Sequence, residues 1–355
     1  MLKGQGYDTV DRGHALLGYA AVGATAGILL ATRVREKGVL PGGHTVLLVT
    51  DSQWVLIPLQ NEAASAICAA ALAGVQAPAR QDQEFWRSVQ QFTLNNAHYY
   101  CETADISRPF PSAEDPANPN PEFVWNSWLR QPLVDMGLFA HCPPLLQGAV
   151  ECASEEHPNT GQRFSMALVS RRSRRHPGTR YIARGLNDKA GPGNEIESEL
   201  VVWTHPPDAA QGSARWLGGG GGGGGPESVR WSRAVWRRGT VPIWWGVQLQ
   251  SLQKGLQAEV YVRSDEPYRG TVSYFRSVQR QHVPRPRLPR PTAPAGGGNA
   301  SGEQPAVAAG AGAQEGAGED LSTEVPITCI NLLHCNPKKA AELMLSTHFQ
   351  EVRRL

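Results

Sequence analysis

The sequence has little net charge, little cysteine and no sustained leucine-rich run, and each shortage removes a class of protein. Lys and Arg number 34 against 32 for Asp and Glu, a formal net charge of +2 in 355 residues. A nearly neutral molecule has no whole-body field to draw it to nucleic acid. Stacking aromatics at the spacing of a single-strand binder are also missing, so nucleic acid is not expected as a partner. The six cysteines, Cys68, Cys101, Cys142, Cys152, Cys329 and Cys335, form no Cys-x-x-Cys pair. Thiols this few and scattered make no disulfide framework and point to a reducing compartment. Neither His141-Cys142 nor Cys329 with His334 and Cys335 has the paired spacing of structural zinc. No metal and no cofactor is expected. A Gly-x-Ser-x-Gly elbow and a Gly-x4-Gly-Lys phosphate loop are both absent, which removes two further catalytic classes. The uncharged run Ala15–Thr32 just reaches the length of a membrane span, about 18 residues. It is punctuated by Gly18, Gly23 and Gly27 and preceded by Asp8 and Asp11. It reads as two buried strands, or a strand and a turn, not as a span or a signal peptide.

What is present alternates between short apolar runs and turns. The length leaves room for two to three ordinary domains, or one large one with insertions. Pro41-Gly42-Gly43 predicts a turn between strands at Thr45–Val49 and Trp54–Ile57 and what precedes them. Ala63–Gly74 and Asp82–Leu94 read as helical. Pro109–Pro121 is a proline-rich loop. Strands are predicted at Arg163–Val169, Glu199–Trp203, Ala258–Val262 and Ile327–Leu333. Asn336 suits a helix N-cap and Pro337 the first turn. Ala341, Leu345, Phe349 and Val352 follow at helical spacing. That stripe stops at Leu355 in mid-pattern, which reads as a sequence incomplete at its C-terminus. Residues 218–225 are consecutive glycines, a flexible linker. Residues 284–323 form a Pro/Arg-rich and then Ala/Gly-rich insertion, expected to be disordered. Its Pro286-x-x-Pro289 is a weak signal for an SH3-type partner.

Chemistry concentrates between Val169 and Gly246. Ser170–Tyr181 carries Arg171, Arg172, Arg174, Arg175 and Arg180, with Arg184 just beyond. Trp236–Gly246 carries Arg237 and Arg238 among three tryptophans. Guanidiniums bind phosphate bidentately and stay charged at any cellular pH. Gly178-Thr179 adds a backbone N–H and a hydroxyl that could donate to the same ligand. The phosphate-binding or domain-interface candidates are therefore Arg171, Arg172, Arg174, Gly178, Thr179, Arg180, Arg184, Arg237 and Arg238. The same arginines could equally form structural ion pairs with Glu195, Glu197 and Glu199 just downstream. The residues alone leave both readings open. The tryptophans read as packed core or interface.

These pieces, in this order, resemble the N-terminal half of a Sac phosphoinositide phosphatase. Leu16-Leu17-Gly18-Tyr19, Thr45–Thr50 and Ile57-Pro58-Leu59 are similar to the family's opening strands. Tyr99–Pro111, Phe123-Val124-Trp125-Asn126, Leu145-Leu146-Gln147-Gly148, the two arginine blocks and Asn331-Leu332-Leu333 follow as in the family. Trp236–Gly246 and Glu266–Gly270 are most similar to the large plant branch that also carries a WW domain. The Ala/Gly-rich insertions fit a green alga. The resemblance implies an α+β fold, with a mostly antiparallel β module, flanking helices and long insertions. It implies dephosphorylation of the inositol ring of phosphatidylinositol phosphates through a cysteine thiolate and an arginine in one Cys-x5-Arg loop, without metal. No cysteine here has an arginine six positions on, so the resemblance assigns no catalytic residue within this chain. It predicts a chain inactive alone. The partners implied are a phosphoinositide membrane surface and a C-terminal catalytic half, and the place is cytoplasmic and peripheral on membranes.

Overall fold

The computed structural model describes residues 13–59, 79–90, 94, 96–111, 119–179, 182–204, 230–252, 255–282 and 326–352. Its backbone is an α+β arrangement dominated by one antiparallel sheet. The strands are β1 (Ala15–Val22), β2 (Thr25–Leu40), β3 (His44–Pro58), β4 (His98–Tyr100), β5 (Leu146–Glu156), β6 (Arg163–Arg172), β7 (Ile196–Thr204) and β8 (Trp231–Arg238). They lie side by side in chain order, β1 to β8. A separate hairpin pairs β9 (Trp245–Leu252) with β10 (Gly255–Val262). The described helices are α1 (Ala79–Gln90), α2 (Ser127–Asp135), α3 (Thr271–His282) and α4 (Ala340–Val352).

The run Ala15–Thr32 folds as two strands with a tight turn at Gly23, whose φ of 58° suits glycine. The strands expected at Thr45–Val49 and Trp54–Ile57 are one continuous β3, because both halves pair with β2. Alternation sorts β3 onto two faces. Val49 joins Leu17, Leu29, Trp54 and Tyr100 on one side. Val46 and Leu48 join Tyr99, Ile106, Phe123, Leu146 and Val169 on the other. Helix α1 covers the first side by setting Trp86 edge-on to Trp54, ring centroids 5.8 Å apart. The residue beneath it is Gly27, where an added Cβ would sit 2.5 Å from the Trp86 ring. Loop residues 101–110 and 119–124 cover the second side.

Asn126 ties α2 to the sheet. Its amide donates to the carbonyls of Leu17 at 2.8 Å and Pro143 at 3.0 Å, and accepts from the Leu145 N–H at 2.8 Å. Between β7 and β8 the chain ends are pinned together, the Thr204 N–H donating to the Arg230 carbonyl at 2.9 Å.

One strand expectation is corrected. Ile327–Leu333 runs without ladder partners among the described residues, and Ile330 and Leu332 stay 77% and 79% exposed. A strand needs a neighbouring edge for its N–H and C=O groups, and none of the described strands offers one there. Helix α4 follows as expected, with Leu345 and Phe349 buried. Asn336 accepts from the Lys338 N–H at 2.9 Å just before it. Ala63–Gly74, residues 218–225, Pro286–Pro289 and the 284–323 insertion lie outside the described residues. Among the described residues no helix is long and apolar enough to cross a membrane.

Candidate functional site

The site grows from strand alternation on β7. Glu197 and Glu199 point to one face, Glu195 precedes them in the same register, and Val201 and Trp203 continue it. Three buried glutamates in such a row need cations. Arg171 on β6 and Arg237 on β8 stand directly opposite Glu197 from either side. Arg171 is 1% exposed. It meets Glu199 at 2.5 Å and Glu197 at 3.4 Å, and donates to the carbonyls of Ile106 at 2.8 Å and Arg108 at 3.0 Å. Arg237 meets Glu197 at 2.7 Å, Glu122 at 3.1 Å and Glu195 at 3.3 Å. Its guanidinium lies over the Phe123 ring and donates to Gln281 at 2.5 Å. Arg175 approaches Glu122 from the rim at 3.7 Å.

The electrostatics follow from burial. Burial opposes ionisation of Glu197, but a hydrogen bond from His282 and the charges of Arg237 and Arg171 hold it at about 2. Burial pushes Glu195 up to about 7, with the Glu122 charge adding and Arg237 opposing. The Arg237 guanidinium is held protonated beyond its ordinary value: burial opposes its charge, and the carboxylates outweigh burial. Arg171 and Arg237 each commit all three nitrogens, through four hydrogen bonds, to carboxylates and carbonyls, so they serve as buried braces rather than as an open phosphate site.

The remaining candidates fall elsewhere. Arg172 leaves the network, donating to Gln147 at 3.3 Å and Asn194 at 3.0 Å, with its guanidinium 5.9 Å from the Trp125 ring centre. The Gly178 N–H donates to the same Asn194 oxygen at 3.2 Å. The Thr179 carbonyl accepts from the N–H groups of Ile182 and Ala183, both at 3.1 Å. Arg174 is exposed and donates to the Pro121 carbonyl at 2.6 Å. Arg184 lies over the Trp245 ring at 5.5 Å. Arg238 is exposed at the end of β8. Arg180 lies outside the described residues. The structure thus brings Arg171 and Arg237 together, and Arg172 with Gly178 and Asn194. Arg238 shares the cross-strand partner Ile196 with Arg172, and Arg184 follows Ala183, whose carbonyl accepts from Asn194.

Sequence reasoning passed over Glu122, Tyr274, Gln281 and His282, which complete the network. Glu122 carries no local signal. The other three share a face of α3, a spacing of 274, 281 and 282 that was there to be read. Among the described residues no three His, Cys, Asp or Glu side chains converge in a way that could hold a metal ion. Cys142 is buried among Asn126 and Arg130, and burial pushes its thiol up to about 11, so it is not an activated nucleophile.

A family model described as the SacI homology domain matches residues 14–354. The chain belongs to the SacI homology domain family. It is similar to phosphatidylinositol-3-phosphatase SAC1 of Arabidopsis thaliana, 22% identical over 272 residues, which is 72% of this chain and 25% of that protein. It is similar to polyphosphoinositide phosphatase of Schizosaccharomyces pombe, 24% identical over 250 residues, 68% of this chain and 27% of the relative. Phosphoinositide phosphatase SAC5 of Arabidopsis thaliana matches at 20% over 289 residues, 78% and 32%. The chain therefore spans about a quarter to a third of the length of these relatives. Plant Sac phosphatases are among them, as the Trp236–Gly246 resemblance implied. In this SacI homology domain, the two arginine blocks meet across β6, β7 and β8 rather than forming one exposed basic patch.

Proposed function

We propose that this chain is the N-terminal portion of a phosphoinositide phosphatase, whose chemistry is supplied by a Cys-x5-Arg loop outside this sequence. The observation that carries the reading is the SacI homology domain match over residues 14–354, with relatives named as phosphoinositide phosphatases. The geometry supports a division of labour. Arg171 and Arg237 brace the sheet from inside. Arg172, Arg174, Arg184, Arg238, Gly178 and Thr179 are the described candidates left for a phosphorylated headgroup or the catalytic half, and Arg180, outside the described residues, is proposed with them on sequence alone. The place of action is the cytoplasmic surface of a membrane, visited peripherally.

The test is phosphate release from phosphatidylinositol phosphates in mixed vesicles. The chain alone should release none, and the chain continued into its native C-terminal half should turn over. Turnover by the isolated chain would sink the proposal. In the continued protein, Arg174→Ala should weaken binding to phosphoinositide vesicles about tenfold, the order expected for one lost charge-assisted contact. Unchanged binding would remove Arg174 from the headgroup-facing set.

A second reading has one observation in its favour: no cysteine of this sequence has an arginine six positions on. On that reading the protein binds phosphoinositides or a partner without hydrolysis. Sequencing the native transcript past Leu355 separates the two. An open frame reaching Cys-x5-Arg supports the phosphatase, and a stop codon supports the binding protein.

A further inference from the structure

The buried network holds one carboxyl more than its cations balance. Glu122, Glu195, Glu197 and Glu199 face Arg171 and Arg237 in the interior and Arg175 at the rim. Four acids against three guanidiniums leave one acid over. His282 lies at the edge, its Nε2 3.4 Å from Glu197.

Glu195 is where the excess falls. It is 1% exposed. Its Oε1 accepts from the Tyr274 hydroxyl at 2.5 Å. Its Oε2 is buried without a hydrogen-bond partner, with Arg237 3.3 Å away as an ion contact only. The Glu122 charge helps to raise it. The same Arg237 nitrogen serves both carboxyls. A proton on Glu195 Oε2 would turn two facing charges into a donor and an acceptor. The charged and titratable groups around it are Glu122 from the loop before α2, Arg175 from the loop after β6, Glu197 from β7, Arg237 from β8, and Tyr274 and His282 from α3.

Helix α3 is fastened to the sheet in part through this same cluster. Thr271 is its one buried residue. Beyond it, the helix holds on by Tyr274 to Glu195, by Gln281 donating to Glu122 at 3.0 Å and accepting from Arg237, and by His282 to Glu197. Tyr274, Phe275 and Val278 are half-buried and the Thr271 hydroxyl donates to the Pro242 carbonyl, and the polar contacts with the cluster add to these.

We propose that Glu195 and Glu122 share one proton and act as a proton-gated latch for α3, closed when Glu195 is protonated and loosened when it ionises. The direction follows from linkage. Burial raises Glu195 from 4.5 to about 7. Its contribution is fully present below 4.5 and is lost as pH rises through about 7. Ionisation places two carboxylates against one guanidinium nitrogen, and burial and the Glu122 charge outweigh the hydrogen bond that the Tyr274 hydroxyl donates to the anion.

Amide hydrogen exchange on the full 355-residue chain tests this, with protection corrected for the intrinsic pH dependence of exchange. In the wild type, protection of residues 271–282 should fall by up to tenfold per pH unit between about pH 4.5 and 7 and level off above about 7. In Glu195→Gln, neutral at every pH, protection should stay flat. A flat wild-type profile, or an equal decline in the variant, overturns the latch. If Glu195→Gln does not fold, infrared spectra of the wild type with isotope-labelled glutamate decide the matter. A protonated carboxyl band at pH 6 that is gone by pH 8.5 supports the shared proton, and its absence at pH 6 refutes it.

Discussion

Arg237 shows how one residue can look like a ligand for phosphate and yet be a structural post. It touches three glutamates, one glutamine and the face of Phe123. Replacing it with Ala leaves Glu197 and Glu122 buried beside uncompensated charge. Breaking such a pair costs about 3–5 kcal/mol. Urea denaturation of Arg237→Ala should show a loss of that size, whereas Arg174→Ala should stay within about 0.5 kcal/mol of wild type because Arg174 is exposed. Equal losses would show that burial does not separate the two arginine roles. Asn126→Ala belongs to the same scale. It strips partners from the Leu17 and Pro143 carbonyls and the Leu145 N–H. The expected loss is roughly 3 kcal/mol, since each orphaned buried group costs about 1–3.

At the scale of elements, α1 rests on the bare backbone of Gly27. Gly27→Val would push the Trp86 ring away and should cost about 1–3 kcal/mol as overpacking. Fluorescence of the Trp54–Trp86 pair would shift with it, and an unshifted spectrum would mean the helix can slide to make room. Much of this level was legible in the sequence. Alternation marked β6 and β7, glycines broke Ala15–Thr32 into two strands, and the Leu345–Phe349 spacing marked α4. The continuity of β3 was not legible, because Asp51 to Gln53 is a polar stretch that only pairing with β2 holds extended. Ile327–Leu333 has strand composition without an edge to join among the described residues. The ion pairs with Glu195, Glu197 and Glu199 stood in the sequence as one of two readings. Their closure through Glu122 and α3 depended on contacts across 115 and 159 positions, which no local pattern carries.

Across the whole molecule, the network sets a stability profile against pH. Burial disfavours Glu197 as an anion, but the His282 hydrogen bond and the charges of Arg237 and Arg171 still lower it from 4.5 to about 2. Its share of stability is present above 4.5 and is lost as pH falls toward 2. Glu195 works in the opposite sense, its share being lost as pH rises through about 7. Denaturation midpoints should therefore peak at about pH 4.5, fall toward pH 2 on one side and fall toward pH 7 on the other. A profile still climbing at pH 8 would contradict the assignment of Glu195. The sheet order is a second property of the whole. Because neighbours in the chain are neighbours in space, each connection has only to return to the strand beside it. Thr204 and Arg230 already touch, so the strand ends on either side of residues 205–229 are joined by the sheet's own hydrogen bonding. Cutting those residues to a four-residue turn should raise unfolding free energy by roughly 1.5 kcal/mol through loop closure alone. The same junction is an open port for protein engineering: a reporter domain whose own termini lie close together could be spliced in there, leaving the host's strand register untouched.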